Sequence, residues 1–125
     1  MPPKSGLTGS VTLDVAEADT AIAMGTGAVD VLATPRLVAL CEEATMVALD
    51  GVFEEGCASV GVRVQIEHIS PTAVGGRVVA EASLDKIEGR RLHFTVSARD
   101  ERGLVAVGKV TRVTVEVERF MEKTR

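Results

Sequence analysis

After residue 57 the chain runs through four stretches of alternating side chains, and only one sizeable helix precedes them to cover the sheet they would form. Residues 58–69 place Val60, Val62, Val64 and Ile66 on one face and Gly61, Arg63, Gln65 and Glu67 on the other, the two-residue period of a strand. Ser70-Pro71 breaks that run. Residues 76–87 give Val78, Ala80, Ala82 and Leu84 one face, and Glu88-Gly89 makes a tight connection to residues 90–99, as in a hairpin. There Leu92, Phe94, Val96 and Ala98 alternate with polar residues. Asp100 to Gly103 turns the chain into a long strand over 104–118. An earlier strand is expected over 7–15, followed by a loop or short helical turn over 16–33.

The helix opens at Thr34-Pro35. Thr is a good N-cap, and Pro in the first turn lacks an N–H that would be unpaired anyway. It should run to about Leu49, ended by Asp50-Gly51. Leu37, Cys41, Ala44 and Ala48 form one stripe, widened by Leu40 and Val47, at 100° per residue. A sheet with one apolar face must bury it, so an α+β arrangement is expected, with the sheet curled around the helix as one domain spanning 1–125. The chain has no Trp or Tyr and three Phe, so its core must come from Val, Leu, Ala and Ile. A domain of this length buries about two-thirds of its unfolded surface, and a subunit interface would add to that.

Several function classes drop out. Fourteen basic and eighteen acidic side chains give a net charge of −4 without a Lys/Arg run, which argues against a general nucleic-acid binder. Cys41 and Cys57 lack metal-ligand spacing and read as free thiols. No run approaches the roughly 20 apolar residues of a membrane span, and Met1 to Gly6 lacks the apolar stretch of a signal peptide. The expected compartment is the cytoplasm. There is no G-x-S-x-G elbow, Walker loop or H-E-x-x-H helix. With two histidines on opposite faces, a metal site is not expected.

Three side chains stand out. Glu42 has Val38, Thr45 and Leu49 as helical neighbours, so it projects from a mostly apolar flank. It is either a tuned general acid or base or a partly exposed Glu whose stem covers Val38. His68 continues the row Val60 to Ile66 and should point to the covered face, either as a proton carrier or as a satisfied structural histidine. His93 alternates against Leu92 and Phe94 and belongs with Thr95 and Ser97 on the polar face. Thr34 is explained as the N-cap; its alternative role is a hydroxyl at the positive end of a helix. Gly61 in mid-strand suits a close approach by backbone or ligand.

Thr34-x7-Glu42, Gly61-x6-His68, Glu88-Gly-Arg-Arg-Leu, Val96-Ser-Ala and Gly108-x3-Arg112 together resemble the fluoroacetyl-CoA thioesterase family, in order and spacing, over roughly Leu7 to Lys123. The resemblance implies a hotdog fold, with a five-stranded antiparallel sheet wrapped around one long helix. It implies a homodimer with the site at its interface and hydrolysis of a small acyl-CoA to acid and free CoA. Thr34, Glu42 and His68 would then be catalytic, Gly61 would lend its N–H to the thioester oxygen, and Arg112 would lie beside the substrate. No cofactor is implied, since CoA is part of the substrate. The family's fluoroacetyl-selective member carries a phenylalanine-bearing lid where this chain has Met24-Gly-Thr-Gly-Ala-Val29, which argues against a gate tuned to a fluorinated acyl group. A non-catalytic acyl-CoA or small-acid binding module is the alternative on the same fold.

Overall fold

Strands β3 (Arg77–Glu88) and β4 (Arg91–Asp100) carry the alternation most directly. Val78, Ala80, Ala82 and Leu84 are buried on one, and Leu92, Phe94, Val96 and Ala98 on the other. Their register sets Ala80 opposite Ala98 and Leu84 opposite Phe94, so one face of the pair is continuous apolar surface. This computed structural model describes residues 3–125; Met1 and Pro2, at the head of the N-terminal stretch read above, lie outside it. Strand β5 (Gly103–Glu116) pairs with β4, β2 (Cys57–His68) pairs with β5, and β1 (Thr8–Asp14) pairs with β3. The antiparallel sheet therefore has the order β1-β3-β4-β5-β2, with β1 and β2 at its edges.

Three register shifts, between Gly61 and Arg63, Leu84 and Lys86, and Ala98 and Arg99, interrupt the ladders. An extra residue bends and twists a strand, which lets the sheet curl around α2 (Thr34–Ala48). A short helix, α1 (Ala21–Met24), and a 3-10 turn (Glu17–Asp19) lie in the segment expected to be a loop or short helical turn. The expected strand over 104–118 stops at Glu116, because the chain turns into a third helix, α3 (Val117–Met121). The Val117 N–H donates to the Gly56 carbonyl at 2.9 Å and anchors that turn.

Helix α2 buries Leu37, Leu40, Cys41, Ala44, Thr45 and Ala48. Val47, expected to widen this stripe, is 47% exposed. The buried face is rotated toward Thr45, whose hydroxyl is satisfied by the Glu42 carbonyl at 2.6 Å. The close approach of β1 explains the rotation. A side chain on Gly9 would begin 2.4 Å from the Ala48 nitrogen and 2.5 Å from the Ala44 carbonyl oxygen, so β1 rests on helix backbone and leaves the Val47 flank open. Neither backbone atom can move aside cheaply. Gly9→Ala is accordingly expected to cost about 3 kcal/mol or more, read as a lowered midpoint in urea unfolding; an unchanged midpoint would contradict this packing.

Both cysteines are free. Burial, and secondarily the Glu42 charge, pushes the Cys41 thiol up to about 11, which makes it a core side chain rather than a nucleophile.

Candidate active site

Thr34 is not the N-cap. That position belongs to Ala33, which makes no side-chain cap, and Thr34 is the first helical residue with Pro35 behind it. The reason lies across the fold: the Thr34 hydroxyl is 2.8 Å from Nδ1 of His68, at the end of β2. The pair orients the imidazole, and Nε2 is buried without a hydrogen-bond partner among the described residues. Such nitrogens are seldom left unpaired, which leaves Nε2 available to a partner from outside these residues. Burial lowers the His68 pKa, with the Ser70 backbone opposing it more weakly.

These two residues line a cavity of about 390 Å³, together with Ala21, Thr26, Gly27, Val29, Val31, Leu32, Pro35, Ile69, Ser70 and Pro71. None of its lining residues carries a fixed charge. Its outer wall is the segment before α2, held down by backbone bonds from Ala21 to Val31 (2.9 Å) and from Leu32 to Thr72 (2.8 Å). Arg36 ties the same segment to the helix, reaching Asp19 at 3.3 Å and Glu43 at 2.9 Å.

The second cluster lies two turns along α2. Arg112 is opposite Gly61 in the β2–β5 register and continues the inward row Ala106, Gly108, Val110 of β5. Only 7% of Arg112 is exposed. Its Nε donates to the Ser59 hydroxyl at 2.8 Å and its Nη2 to the Ser59 carbonyl at 3.1 Å. Its Nη1 lies 3.7 Å from the Glu42 carboxylate. Burial pushes the guanidinium's pKa down and the Glu42 charge pushes it back up. Ser59 has no histidine relay; its role is to hold Arg112.

Gly61 closes this cluster. A Cβ built on it would lie 2.5 Å from Oε2 of Glu42, so the carboxylate occupies the space a side chain would take. In an unbroken strand Gly61 and His68, seven apart, would face opposite ways. The register shift after Gly61 corrects the parity. Before it Ser59 and Gly61 face the helix; after it Val64, Ile66 and His68 do, opposite Val110, Gly108 and Ala106. The expected single face of Val60, Val62, Val64 and Ile66 therefore breaks at Val62: Val60 lies opposite the outward Val113, and Val62 is 50% exposed.

Within one chain the structure joins Thr34 to His68 and Glu42 to Gly61 and Arg112, but does not join the two sets. Eight residues of helix separate Thr34 from Glu42, about 12 Å of rise. His93 is on the opposite face as expected, beside Thr111 at 3.4 Å and Glu88 at 2.9 Å.

Residues 15–118 match the family profile described as fluoroacetyl-CoA-specific thioesterase. The chain belongs to that family. A fluoroacetyl-CoA thioesterase from Streptantibioticus cattleyicolor is 34% identical over 96 residues, covering 77% of this chain and 69% of that protein. A crystal structure of a variant fluoroacetyl-CoA thioesterase in complex with acetyl-CoA superposes with a TM-score of 0.91 at 27% identity, over 98% of this chain and 97% of that one. A Thermus thermophilus thioesterase-superfamily protein gives 0.89 at 27% identity, over 99% and 95%. The sheet wrapped around α2 is thus the hotdog fold of the thioesterases, and this member is a thioester hydrolase. No helix among the described residues is long and apolar enough to cross a membrane.

Proposed function

We propose that this fluoroacetyl-CoA thioesterase family member is a cytoplasmic homodimer that hydrolyses a small, uncharged acyl-CoA at sites shared between subunits. The observation that carries the reading is the Glu42 carboxylate lying over Gly61 with buried Arg112 behind it. Strand β2 is twelve residues long and unpaired on its outer edge, a template for another strand. Antiparallel pairing with a second β2 reverses direction, so the Gly61 end of one chain lies toward the His68 end of the other. Each site then takes Thr34 and His68 from one subunit, and Glu42, Gly61 and Arg112 from its partner.

In this arrangement the acyl group enters the uncharged cavity beside Thr34. The Gly61 N–H supports the developing oxyanion, a contribution of typically ~3 kcal/mol. Glu42 either attacks the carbonyl carbon or takes a proton from the water that does. Thr34 holds the ring of His68, which delivers a proton to the departing CoA thiolate. Water and thioester become carboxylic acid and free thiol, and no cofactor is assigned. The cavity wall of Met24 to Val29 has no phenylalanine, so acetyl or a slightly larger acyl group is expected to be preferred over a fluorinated one. Thiol release from a panel of short acyl-CoA esters tests the reading; saturable binding without turnover on every ester would reject it. That outcome is the second reading, a binding module, favoured by the separation of the two clusters within one chain.

The shared site also makes a pH prediction. Within one chain burial holds the His68 pKa below its ordinary 6.5. A carboxylate arriving from the partner favours the imidazolium and raises it. His68 should therefore titrate higher in the wild-type dimer than in Glu42→Gln, followed by NMR of the ring. Identical values would mean that the two groups do not meet.

A further inference from the structure

Two breaks that read in the sequence as plain chain reversals, Ser70-Pro71 and Asp100 to Gly103, meet in the fold. The Thr72 hydroxyl donates to Oδ2 of Asp100 at 2.7 Å, across twenty-eight positions of chain. Thr72 is 4% exposed. Its methyl is fixed as well, since a Cβ built on Gly76 would begin 2.6 Å from it. The other oxygen of Asp100 accepts the Arg102 N–H at 2.8 Å, the local bond of an aspartate-led turn. That turn closes the paired ends of β4 and β5, so the carboxylate is held in place independently of Thr72.

Neither residue touches the reacting groups, yet the pair stands directly behind the cavity beside Thr34. Ile69, Ser70 and Pro71 line that cavity from one segment, and Val31 and Leu32 from another. Thr72 and its neighbour form the seam between the two. The Leu32 N–H donates to the Thr72 carbonyl at 2.8 Å, and Val31 bridges Ala73. On the sheet side, the Ile69 and Ser70 N–H groups reach the Val105 carbonyl at 2.8 and 3.3 Å. Pro71 has no N–H to add. Along residues 69–76, Thr72 alone has a hydrogen-bonded side chain among the described residues. From Pro71 to Ala73 the seam is therefore tied to the sheet by one buried hydroxyl.

We propose that Thr72 and Asp100 are a positioning pair that fixes the width of the acyl cavity and so sets the acyl length accepted. The proposal rests on the acyl-CoA reading and adds the residues that tune it. A cavity rejects an extra methylene only when its wall does not yield, and a wall yields little when its backbone is anchored and packed. A hydroxyl bonded to a carboxylate is a charge-assisted tie, stronger than a neutral one. Threonine meets both demands of the position: its hydroxyl reaches Asp100 while its methyl packs on Gly76. Serine would keep the first and valine the second.

The test compares Thr72→Val, Asp100→Asn and Thr72→Ser with a matched control, Thr95→Val. Thr95 makes the same kind of bond, to Asp85, on the outer face of the sheet. Values of kcat and KM are measured for straight-chain acyl-CoA esters from acetyl to octanoyl. The wild type should favour its best ester over one longer by two methylenes by about tenfold or more. Thr72→Val and Asp100→Asn should lose about tenfold of that ratio, through KM for the longer esters rather than through kcat. Thr72→Ser should retain it, and Thr95→Val should leave it unchanged whatever it does to Tm. S-alkyl-CoA thioethers of the same lengths, which cannot be hydrolysed, read the same preference as Kd by calorimetry. No length preference in the wild type, an undiminished ratio in Asp100→Asn, or an equal loss in Thr95→Val would overturn the proposal. Absence of turnover on every ester would instead remove the hydrolase reading, while the Kd ratios would still decide the role of the pair.

Discussion

Replacing Glu42 by Gln is expected to lower kcat for acyl-CoA hydrolysis by about a thousandfold, within the range for loss of a positioned proton-transfer group, and by more if the carboxylate is the nucleophile. The substitution keeps shape and one carbonyl oxygen but removes the charge. Glu42 is the carboxylate nearest Arg112, at 3.7 Å, and its side chain is about one-third exposed, so it is open to a substrate while leaning on a buried cation. The Arg112 guanidinium keeps both bonds to Ser59; the fold should therefore survive, with a modest loss of about 1 kcal/mol, because the contact is long at 3.7 Å and its carboxylate end is partly solvated. A separation of the two readouts is the point: a melting curve near that of wild type with thiol release reduced by orders of magnitude. Turnover at the wild-type rate by a folded Glu42→Gln protein would remove this carboxylate from the chemistry. Loss of folding would instead show that its partnership with Arg112 is structural.

How much of this was legible beforehand depends on whether neighbours in sequence settle the matter. Strands β3 and β4 keep a two-residue period from Val78 to Leu84 and from Leu92 to Ala98, and their buried rows are the ones expected. Strand β2 hides its irregularity. Val60, Val62 and Val64 continue one apolar row without a break, so nothing in the alternation marks the residue at which the register shifts. The only local sign is Gly61 itself, since glycine inside a strand accompanies bulges and close approaches. Thr34 shows the opposite limit. Every local cue favoured capping, and a histidine thirty-four positions later decided otherwise. Arg112 had a visible signal, a lone charge continuing the inward row Ala106, Gly108, Val110, but its partner Ser59 could be assigned only once β2 and β5 were paired. The wrap of sheet around helix followed from apolar faces that must be covered. The division of the candidate site into two clusters did not, because helical rise and strand direction in three dimensions set it.

Gly61→Ala is expected to separate stability from activity in the same way and by an independent route. The added methyl would begin 2.5 Å from Oε2 of Glu42 and 3.7 Å from Nη1 of Arg112. The nearest of these atoms is the end of a flexible side chain, so the clash is relieved by swinging the carboxylate aside, not by moving backbone. The folding cost should be small, about 1 kcal/mol or less, and alanine replaces glycine without a positive φ at this position, which even favours the folded chain slightly. Catalysis has no such slack. A carboxylate displaced by about 1 Å from a reacting carbon loses on the order of a hundredfold in rate. The methyl also crowds the place where the thioester oxygen would meet the Gly61 N–H, whose loss alone is worth a further hundredfold or more. A folded Gly61→Ala protein with kcat reduced at least a hundredfold is thus the expected result. Wild-type turnover would show that neither the oxygen nor the carboxylate uses this space, and the chemistry would have to be sought at the Thr34 end alone.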